Sequence, residues 1–230
     1  MPEPLAPYGL NLLRDHYDAL LVANGAPISR RLFSQLRKRS GLLIALDGGV
    51  NALFRYKTAP DWVAGDLDSA TPQSLAWARE NGSAVRKLLS QESPDMAKGM
   101  EFCRGLGCRN VLVAGFSGAR TDHVLSSLTF AFRVRGVEVE LITDDVLVMP
   151  LRGRVEREFA VPRGHTLSWF AFPKAGPCAL RGVRWPFRNR LLTADGFHSL
   201  SNLPVEPVVQ LFQRAGRSLL VVSLRPQTRP

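Results

Sequence analysis

Four short apolar runs, each followed by a turn that contains glycine or aspartate, constrain the fold of this 230-residue chain most strongly. The runs cover residues 19–23, 42–46, 62–64 and 111–114. Each is a continuous apolar stretch and lacks the polar alternation of a half-exposed strand. Continuous apolar strands are typical of parallel sheets covered on both faces. We therefore predict an α/β region with a mostly parallel sheet flanked by helices.

Helix-start signals lie between these runs. Thr71-Pro72 combines an N-cap residue with proline at the first helical position, and Ser93-Pro94 repeats the pattern before residues 95–104. These signals support an alternation of strands and helices over about the first 150 residues.

The pattern changes after Pro150, where a helical period is no longer evident. Short β-rich runs cover residues 156–161, 166–172, 179–183, 208–212 and 218–224. Glycine- and proline-containing turns separate them, including the Pro-Lys-Ala-Gly-Pro segment at residues 173–177. Such spacing predicts an antiparallel sandwich or barrel. We place a domain boundary near residues 150–155.

Composition limits the partners and the compartment. The net charge of +10 comes from basic residues scattered along the chain. No zinc finger or aromatic RNA-binding motif accompanies them in the sequence. A solvated basic face is therefore favoured over nucleic-acid binding. Three cysteines form no CxxC pair, which favours a reducing, cytoplasmic setting. The apolar runs are far shorter than the roughly 20 residues of a membrane-spanning helix.

Acidic residues follow two of the predicted parallel strands. Asp47-Gly48-Gly49 comes directly after residues 42–46, and Gly65-Asp66-Leu67-Asp68-Ser69 comes after residues 62–64. If the second segment is extended, its two aspartates point the same way about 6–7 Å apart. A hard divalent cation such as Mg²⁺ joins such a pair, although an ordinary acidic turn has the same pattern. Ligands of open parallel sheets bind at these strand ends.

Two further polar segments complete the set. Gln91 and Asp95 follow a strand-like run at residues 84–89, and Asp95 opens a helix, where a carboxylate is also common for reasons of the helix dipole. The loop at residues 115–123 contains Gly115, Gly118, Arg120, Asp122 and His123. Free N–H groups at a helix start beside an arginine form a plausible phosphate site, although the loop is neither a P-loop nor a dinucleotide motif.

The order of these motifs resembles the thiamine pyrophosphokinase family. The motifs are DGG, GDLDS, QESPD and SGARTDH, followed by GVRWPF and SLSN, and the resemblance extends from about residue 20 to residue 224. It implies an ATP- and Mg²⁺-binding α/β domain at residues 1–150 and a thiamine-binding, dimer-forming β-sandwich domain at residues 151–230. It also implies a homodimer that transfers pyrophosphate from ATP to thiamine, yielding thiamine diphosphate and AMP.

The resemblance also assigns residues to roles. Asp66, Asp68 and Asp95 are expected to organise Mg²⁺ and, with Arg120, to be catalytic, and Asp68 or Asp95 is expected to accept the alcohol proton. The residues expected at the nucleotide and its phosphates are Asn24, Asp47, Gly48, Gly49, Ser69, Gln91, Gly115, Gly118, Asp122 and His123. Those expected at thiamine are Trp185, Ser201 and Asn202.

Three other functions remain open at this point. The family pattern usually reads Gln-Asp-x-Thr-Asp, whereas this chain has Glu92 and Pro94 within the corresponding segment, and Pro94 lacks both a hydroxyl and an N–H group. A catalytically silent protein that binds nucleotide or thiamine is compatible with these departures. A pyrophosphokinase that acts on another alcohol, such as a pterin, is a second alternative, and nucleic-acid binding is the weakest.

Overall fold

The structure, a computed structural model, describes residues 12–88, 94–118 and 120–226, which divide into two units. The first unit is Asp15–Asp144, and the second contains residues 12–14 and 145–226 of the described chain. A boundary at residue 150 would fall inside a strand, Val146–Arg152, that pairs with Gly216–Ser223 of the second unit. The division therefore lies a few residues earlier than the sequence indicates.

The first unit is built around six parallel strands in the order β4-β3-β2-β1-β5-β6. The strands are β1 (Tyr17–Val22), β2 (Ser40–Leu46), β3 (Trp62–Gly65), β4 (Ala84–Lys87), β5 (Asn110–Ala114) and β6 (Glu138–Ile142). Five helices of the described part of the chain connect them: α1 (Arg30–Arg37), α2 (Gly49–Tyr56), α3 (Pro72–Glu80), α4 (Asp95–Gly105) and α5 (Thr121–Phe130). The mixed α/β class predicted from the sequence is confirmed.

The core of this unit lies along the central strands. Leu21 of β1 pairs with Ile44 of β2 on one side and with Val113 of β5 on the other, and all three residues are fully buried. Burying each such side chain contributes roughly 1.5–3 kcal/mol to folding. Consecutive residues of β1, β2 and β5 are buried, so both faces of these strands are covered, which explains why they read as continuous apolar runs rather than alternating ones.

Of the two helix starts predicted from capping signals, that of α3 has the expected cap. The Thr71 hydroxyl accepts a hydrogen bond from the backbone N–H of Ser74 at 3.2 Å, and Pro72 is the first residue of α3. At α4 the N-cap position is taken by Pro94, which offers no side-chain cap. The expected cap Ser93 lies outside the described residues.

The second unit contains seven strands: β7 (Val146–Arg152), β8 (Val155–Phe159), β9 (Leu167–Arg181), β10 (Phe187–Thr193), β11 (Ser199–Asn202), β12 (Val209–Gln213) and β13 (Gly216–Ser223). All pairings among them are antiparallel, and β9 pairs with β10, β11, β12 and β13. Residues 145–226 contain no helix. Nor is any helix of the described residues in either unit long and apolar enough to cross a membrane.

The turn predicted at residues 173–177 is wrong, because β9 runs straight through this segment. Neighbouring strands satisfy its backbone on both sides. Ala175 pairs with Leu192 of β10 and with Gly216 of β13, and the N–H of Gly176 donates to the carbonyl of Ala215 at 2.9 Å. Long-range pairing thus overrides the local turn preference of proline and glycine.

Replacing Thr71 by alanine should lower the free energy of unfolding by about 1 kcal/mol, because the first turn of α3 loses its cap. Urea denaturation of the whole chain measures this loss. The matched variant Thr71→Ser keeps the hydroxyl and should stay within a few tenths of a kcal/mol of the parent. Equal losses in both variants would contradict the capping role.

Candidate active site

A cleft of about 750 Å³ opens at the carboxyl ends of the parallel strands of the first unit. Strand β1 lies between β2 and β5, so the chain proceeds outward from β1 in one direction and resumes on the other side at β5. This reversal of strand order separates the loops that follow β1 and β5 and leaves a crevice, the usual ligand position in open α/β sheets. The cleft is lined by residues after β1, β2 and β5 and by the starts of α4 and α5.

Close backbone packing at these strand ends requires glycine. The N–H of Gly25 donates to the carbonyl of Gly115 at 2.7 Å, and a Cβ at Gly25 would lie 2.2 Å from the carbonyl oxygen of Ser117. A Cβ at Gly49 would lie 2.0 Å from the carbonyl oxygen of Val22. Neither Gly48 nor Gly49 lines the cleft, whereas Asn24, Gly115 and Gly118 do. Gly48 and Gly49, which were expected at the nucleotide, therefore have a packing function in this structure.

Three carboxylates converge at one side of the cleft. Asp47, Asp66 and Asp68 each offer an oxygen atom, and the three atoms lie within 4.8 Å of one another. Asp47 directly follows β2 at φ 51°, and Leu67 adopts φ 70°. The GDLDS segment is therefore bent, whereas the sequence analysis considered an extended segment. The N–H of Asp68 donates to Asp66 Oδ1 at 3.4 Å across this bend. The bend, not strand alternation, brings Asp66 and Asp68 together.

Asp47 is the buried member of this cluster, with 4% of its surface exposed. Its Oδ1 atom has no hydrogen-bond partner among the described residues. Burial and the negative charges of Asp66 and Asp68 raise the pKa of Asp47 to about 6, against a lowering contribution from the N–H of Ser69. A buried carboxylate oxygen without a partner, beside two further carboxylates, fits a hard divalent cation such as Mg²⁺.

Lys98 of α4 connects this cluster to Asp95. Its Nζ lies 3.3 Å from Asp66 Oδ2 and 3.0 Å from Asp95 Oδ1, and its side chain is 8% exposed. Burial lowers the pKa of Lys98, but the hydrogen bonds and charges of Asp95 and Asp66 outweigh burial and raise it. In the described residues Asp95 is therefore held by an ammonium group rather than within the three-carboxylate cluster. Sequence reasoning missed Lys98, although its position three residues after Asp95 on a helix places the two side chains side by side.

The loop before α5 forms the opposite wall of the cleft. Arg120 Nη2 and Asp122 Oδ2 form an ion pair at 2.6 Å, and both side chains are largely exposed. His123 also lines the cleft, whereas Ala119 lies outside the described residues. The exposed guanidinium and the first N–H groups of α5 give this wall the character of an anion site.

The residues expected at thiamine belong to the second unit. Asn202 is 1% exposed, and its Oδ1 accepts a hydrogen bond from the N–H of Trp185 at 3.1 Å while its Nδ2 donates to the Trp185 carbonyl at 2.8 Å. The Trp185 ring is 47% exposed, and the guanidinium of Arg184 lies 5.1 Å from its centroid. The N–H of Ser201 donates to the Ser168 hydroxyl at 3.0 Å. Asn202 therefore fixes the backbone that presents Trp185.

Of the other expected residues, Ser69 lines the cleft, and its hydroxyl donates to Asp68 Oδ1 at 3.0 Å. Gln91 and Glu92 lie outside the described residues. Ser117, Ser126 and Ser127 also line the cleft and were not singled out in the sequence. Isolated serines carry no recognisable sequence signal, so only the fold reveals their position.

Asp47→Asn should stabilise the metal-free protein at pH 7.5 by more than it does at pH 4.5. The pKa of Asp47 is about 6 in the folded state, against 3.8 for the unfolded chain. The free energy of unfolding therefore falls as the pH rises from about 4 to about 6. The full shift corresponds to roughly 3 kcal/mol, and Asn removes the charge while tolerating the positive φ. Urea denaturation with EDTA at both pH values measures the difference. The control Asp195→Asn, at an exposed turn, should show no such dependence, and the same flat behaviour in Asp47→Asn would contradict the cluster electrostatics.

Comparisons with known proteins point to one family. The family model for the thiamin pyrophosphokinase catalytic domain matches residues 33–143, a span that includes all three clustered carboxylates, Lys98 and Arg120. Thiamine pyrophosphokinase 1 of Oryza sativa subsp. japonica is 25% identical over 199 residues, covering 75% of each chain. Thiamine pyrophosphokinase of Saccharomyces cerevisiae is 26% identical over 136 residues, covering 55% of this chain and 40% of its own.

Solved structures show the same fold. Thiamine pyrophosphokinase from Bacillus subtilis superposes with a TM-score of 0.77 at 18% identity, covering 90% of this chain and 99% of its own. The yeast thiamin pyrophosphokinase structure gives a TM-score of 0.77 at 19% identity, covering 93% and 88%. Family model, curated relatives and solved structures all point the same way: the chain is similar to the thiamine pyrophosphokinases, and its residues 33–143 match the catalytic domain of that family.

Proposed function

We propose that this protein transfers the pyrophosphate group of ATP to the hydroxyl group of thiamine, giving thiamine diphosphate and AMP. Similarity to the thiamine pyrophosphokinases supports the reaction class. The observation that carries the proposal is the buried, partnerless Oδ1 of Asp47 beside Asp66 and Asp68 at the cleft. This arrangement suits a metal-bound triphosphate, because a cation would satisfy the orphan oxygen and relieve the repulsion among the carboxylates.

In this proposal Asp47, Asp66 and Asp68 hold Mg²⁺, which supplies positive charge to the phosphates of ATP when it is bound. Asp47 thus replaces Asp95 in the metal set expected from the resemblance. Asp95 instead fixes Lys98, whose ammonium group sets the position of the Asp66 carboxylate. Asp68 and Asp95 both line the cleft, where either carboxylate can accept the proton of the attacking alcohol.

The opposite wall binds the anionic part of the nucleotide. Arg120 is exposed and paired only with an exposed aspartate in the described chain, so it exchanges Asp122 for phosphate oxygens at small cost. The Gly115–Gly118 loop also lines this part of the cleft, and the Ser117 hydroxyl adds a donor for phosphate oxygens. Positioning and charge neutralisation are the main requirements of such transfers, so no covalent protein nucleophile is needed.

The antiparallel unit provides the acceptor site in this proposal. It forms a β-sandwich, and Trp185 and Ser201 contact thiamine in a homodimer, while Asn202, expected at thiamine from the resemblance, holds the backbone of Trp185. Support comes from the half-exposed indole of Trp185 on a backbone fixed by buried Asn202. The cytoplasm is the proposed compartment, since Cys103, Cys108 and Cys178 are all free and buried.

Incubation of the purified protein with ATP, Mg²⁺ and thiamine should yield equal amounts of AMP and thiamine diphosphate, measured by chromatography. Asp68→Asn should slow the reaction at least about 100-fold, because one carboxylate of the cluster loses its charge. The control Asp195→Asn should leave the rate unchanged. AMP formation with a pterin alcohol but not with thiamine would sink the assigned acceptor, and ligand-induced thermal stabilisation without AMP would sink the enzymatic role.

Lys98→Met should lower the melting temperature in EDTA and increase the gain in melting temperature on adding Mg²⁺. The nearly isosteric methionine leaves Asp66 and Asp95 without their cation, at a cost of about 1–2 kcal/mol for these half-exposed partners. The resulting negative charge favours a divalent ion more strongly than in the parent. Differential scanning fluorimetry measures both temperatures, and Lys98→Arg should restore values near the parent. A Mg²⁺ gain no larger in Lys98→Met than in the parent would contradict the charge-balancing role.

A further inference from the structure

A second groove of about 900 Å³ lies within the antiparallel unit, over strands β8, β12, β9 and β10. It involves residues that neither the sequence motifs nor the proposed reaction uses. Arginines from distant parts of the chain line it: Arg154, Arg157, Arg181, Arg188 and Arg214. The fold therefore gathers basic residues that appear scattered in the sequence.

Strand register explains how these arginines come together. The register places one row of side-by-side residues across β8, β12 and β9: Glu158, Gln210 and Arg181. Two residues along each strand, a second row consists of Glu156, Phe212 and Ala179. Arg154 directly precedes β8 and Arg214 directly follows β12, and both line the groove. Leu180 and Leu211 in the intervening row are buried.

The charges of the groove are not balanced. Arg154 Nη2 lies 3.6 Å from Glu156 Oε2, and Gln210 Nε2 donates to Glu158 Oε1 at 2.8 Å, so both glutamates are engaged. The side chains of Arg181, Arg188 and Arg214 are exposed and form no ion pair with any residue that the structure describes. Arg154, Arg181, Arg188 and Arg214 thus outnumber the two glutamates in one concavity, without counting Arg157, which alternation places on the other face of β8.

Guanidinium groups in such an arrangement select phosphate oxygens, which they bind through paired N–H donors. The groove has the volume of a small-ligand site. Phe212, whose ring lies 5.6 Å from the Arg154 guanidinium carbon, is the one aromatic residue of its lining among the described residues. Single-stranded nucleic acid is bound by several stacking aromatics in succession, so one ring favours a short phosphate chain instead.

We infer that the groove between β8, β12, β9 and β10 is a second anion site that binds a small oligophosphate through Arg181, Arg188 and Arg214. Its ligand is an inorganic polyphosphate or the phosphate chain of a nucleotide. The site lies wholly in the antiparallel unit and is independent of the metal-binding cluster, so it stands whether or not the proposed reaction is correct.

Calorimetric titration of the full chain with inorganic tripolyphosphate tests the site, at low salt with EDTA so that the acidic cleft holds no metal. One equivalent should bind to the parent. The variant Arg181→Gln/Arg214→Gln should bind at least tenfold more weakly. The charge-matched control Arg163→Gln/Arg217→Gln, which changes exposed arginines outside the groove lining, should change affinity less than twofold. Asp68→Asn should bind as the parent does.

Titration with ATP under the same conditions distinguishes the two ligand sources. Tighter binding of ATP than of tripolyphosphate, lost in the groove variant, would identify a nucleotide, and equal or weaker binding of ATP would identify the phosphate chain alone. Absence of tripolyphosphate binding would overturn the inference. Equal losses in the groove variant and its control would do so too, since a diffuse positive field would then explain binding. Tighter binding of a 12-residue oligothymidylate, lost in the groove variant, would replace the oligophosphate site with a nucleic-acid surface.

Discussion

Three carboxylates that repel one another, one of them buried, are brought together at the strand ends of the α/β unit, and the account of the site depends on this repulsion. One carboxylate oxygen from each of Asp47, Asp66 and Asp68 lies within 4.8 Å of the other two. The backbone conformation, not attraction between the side chains, holds them there. Their proximity raises the cost of charging Asp47, and Lys98 compensates only on the side of Asp66. Bringing these carboxylates together costs electrostatic free energy, which a bound cation would offset.

The parallel sheet makes this arrangement possible. Buried strands fix the ends of β1, β2, β3 and β5, and the order reversal at β1 opens a cleft between the loops that follow. Close contacts of Gly25 with Ser117 and of Gly49 with Val22 keep those loops compact. The result places carboxylates on one wall and an exposed arginine with helix N–H groups on the other. That polarity is what a nucleotide carrying a metal ion requires.

Local sequence signals predict those parts of the protein that depend on local physics. Apolar runs indicate the α/β class because complete burial leaves no polar alternation, and Thr71-Pro72 marks the start of α3. Motif order was enough to point to the family. The bend at Leu67 was not predictable, since leucine rarely adopts a positive φ and here does so only within the folded loop.

Long-range pairing accounts for the other differences. Strand β9 continues through residues 173–177 because β10 and β13 supply partners that no local pattern reveals. The same applies to the link from Asp95 through Lys98 to Asp66, which joins helix α4 to the segment after β3, with Lys98 and Asp66 32 residues apart in the chain. The arginine groove likewise depends on the register of four strands, so composition alone could show the positive charge of the chain but not its concentration on one face.

The most direct test of the metal-binding cluster is an anomalous difference map from crystals grown with Mn²⁺ and a non-hydrolysable ATP analogue. We expect a peak bonded to carboxylate oxygens of Asp47, Asp66 and Asp68 and to phosphate oxygens of the analogue. A map with the analogue bound but no peak between these three carboxylates would contradict the account.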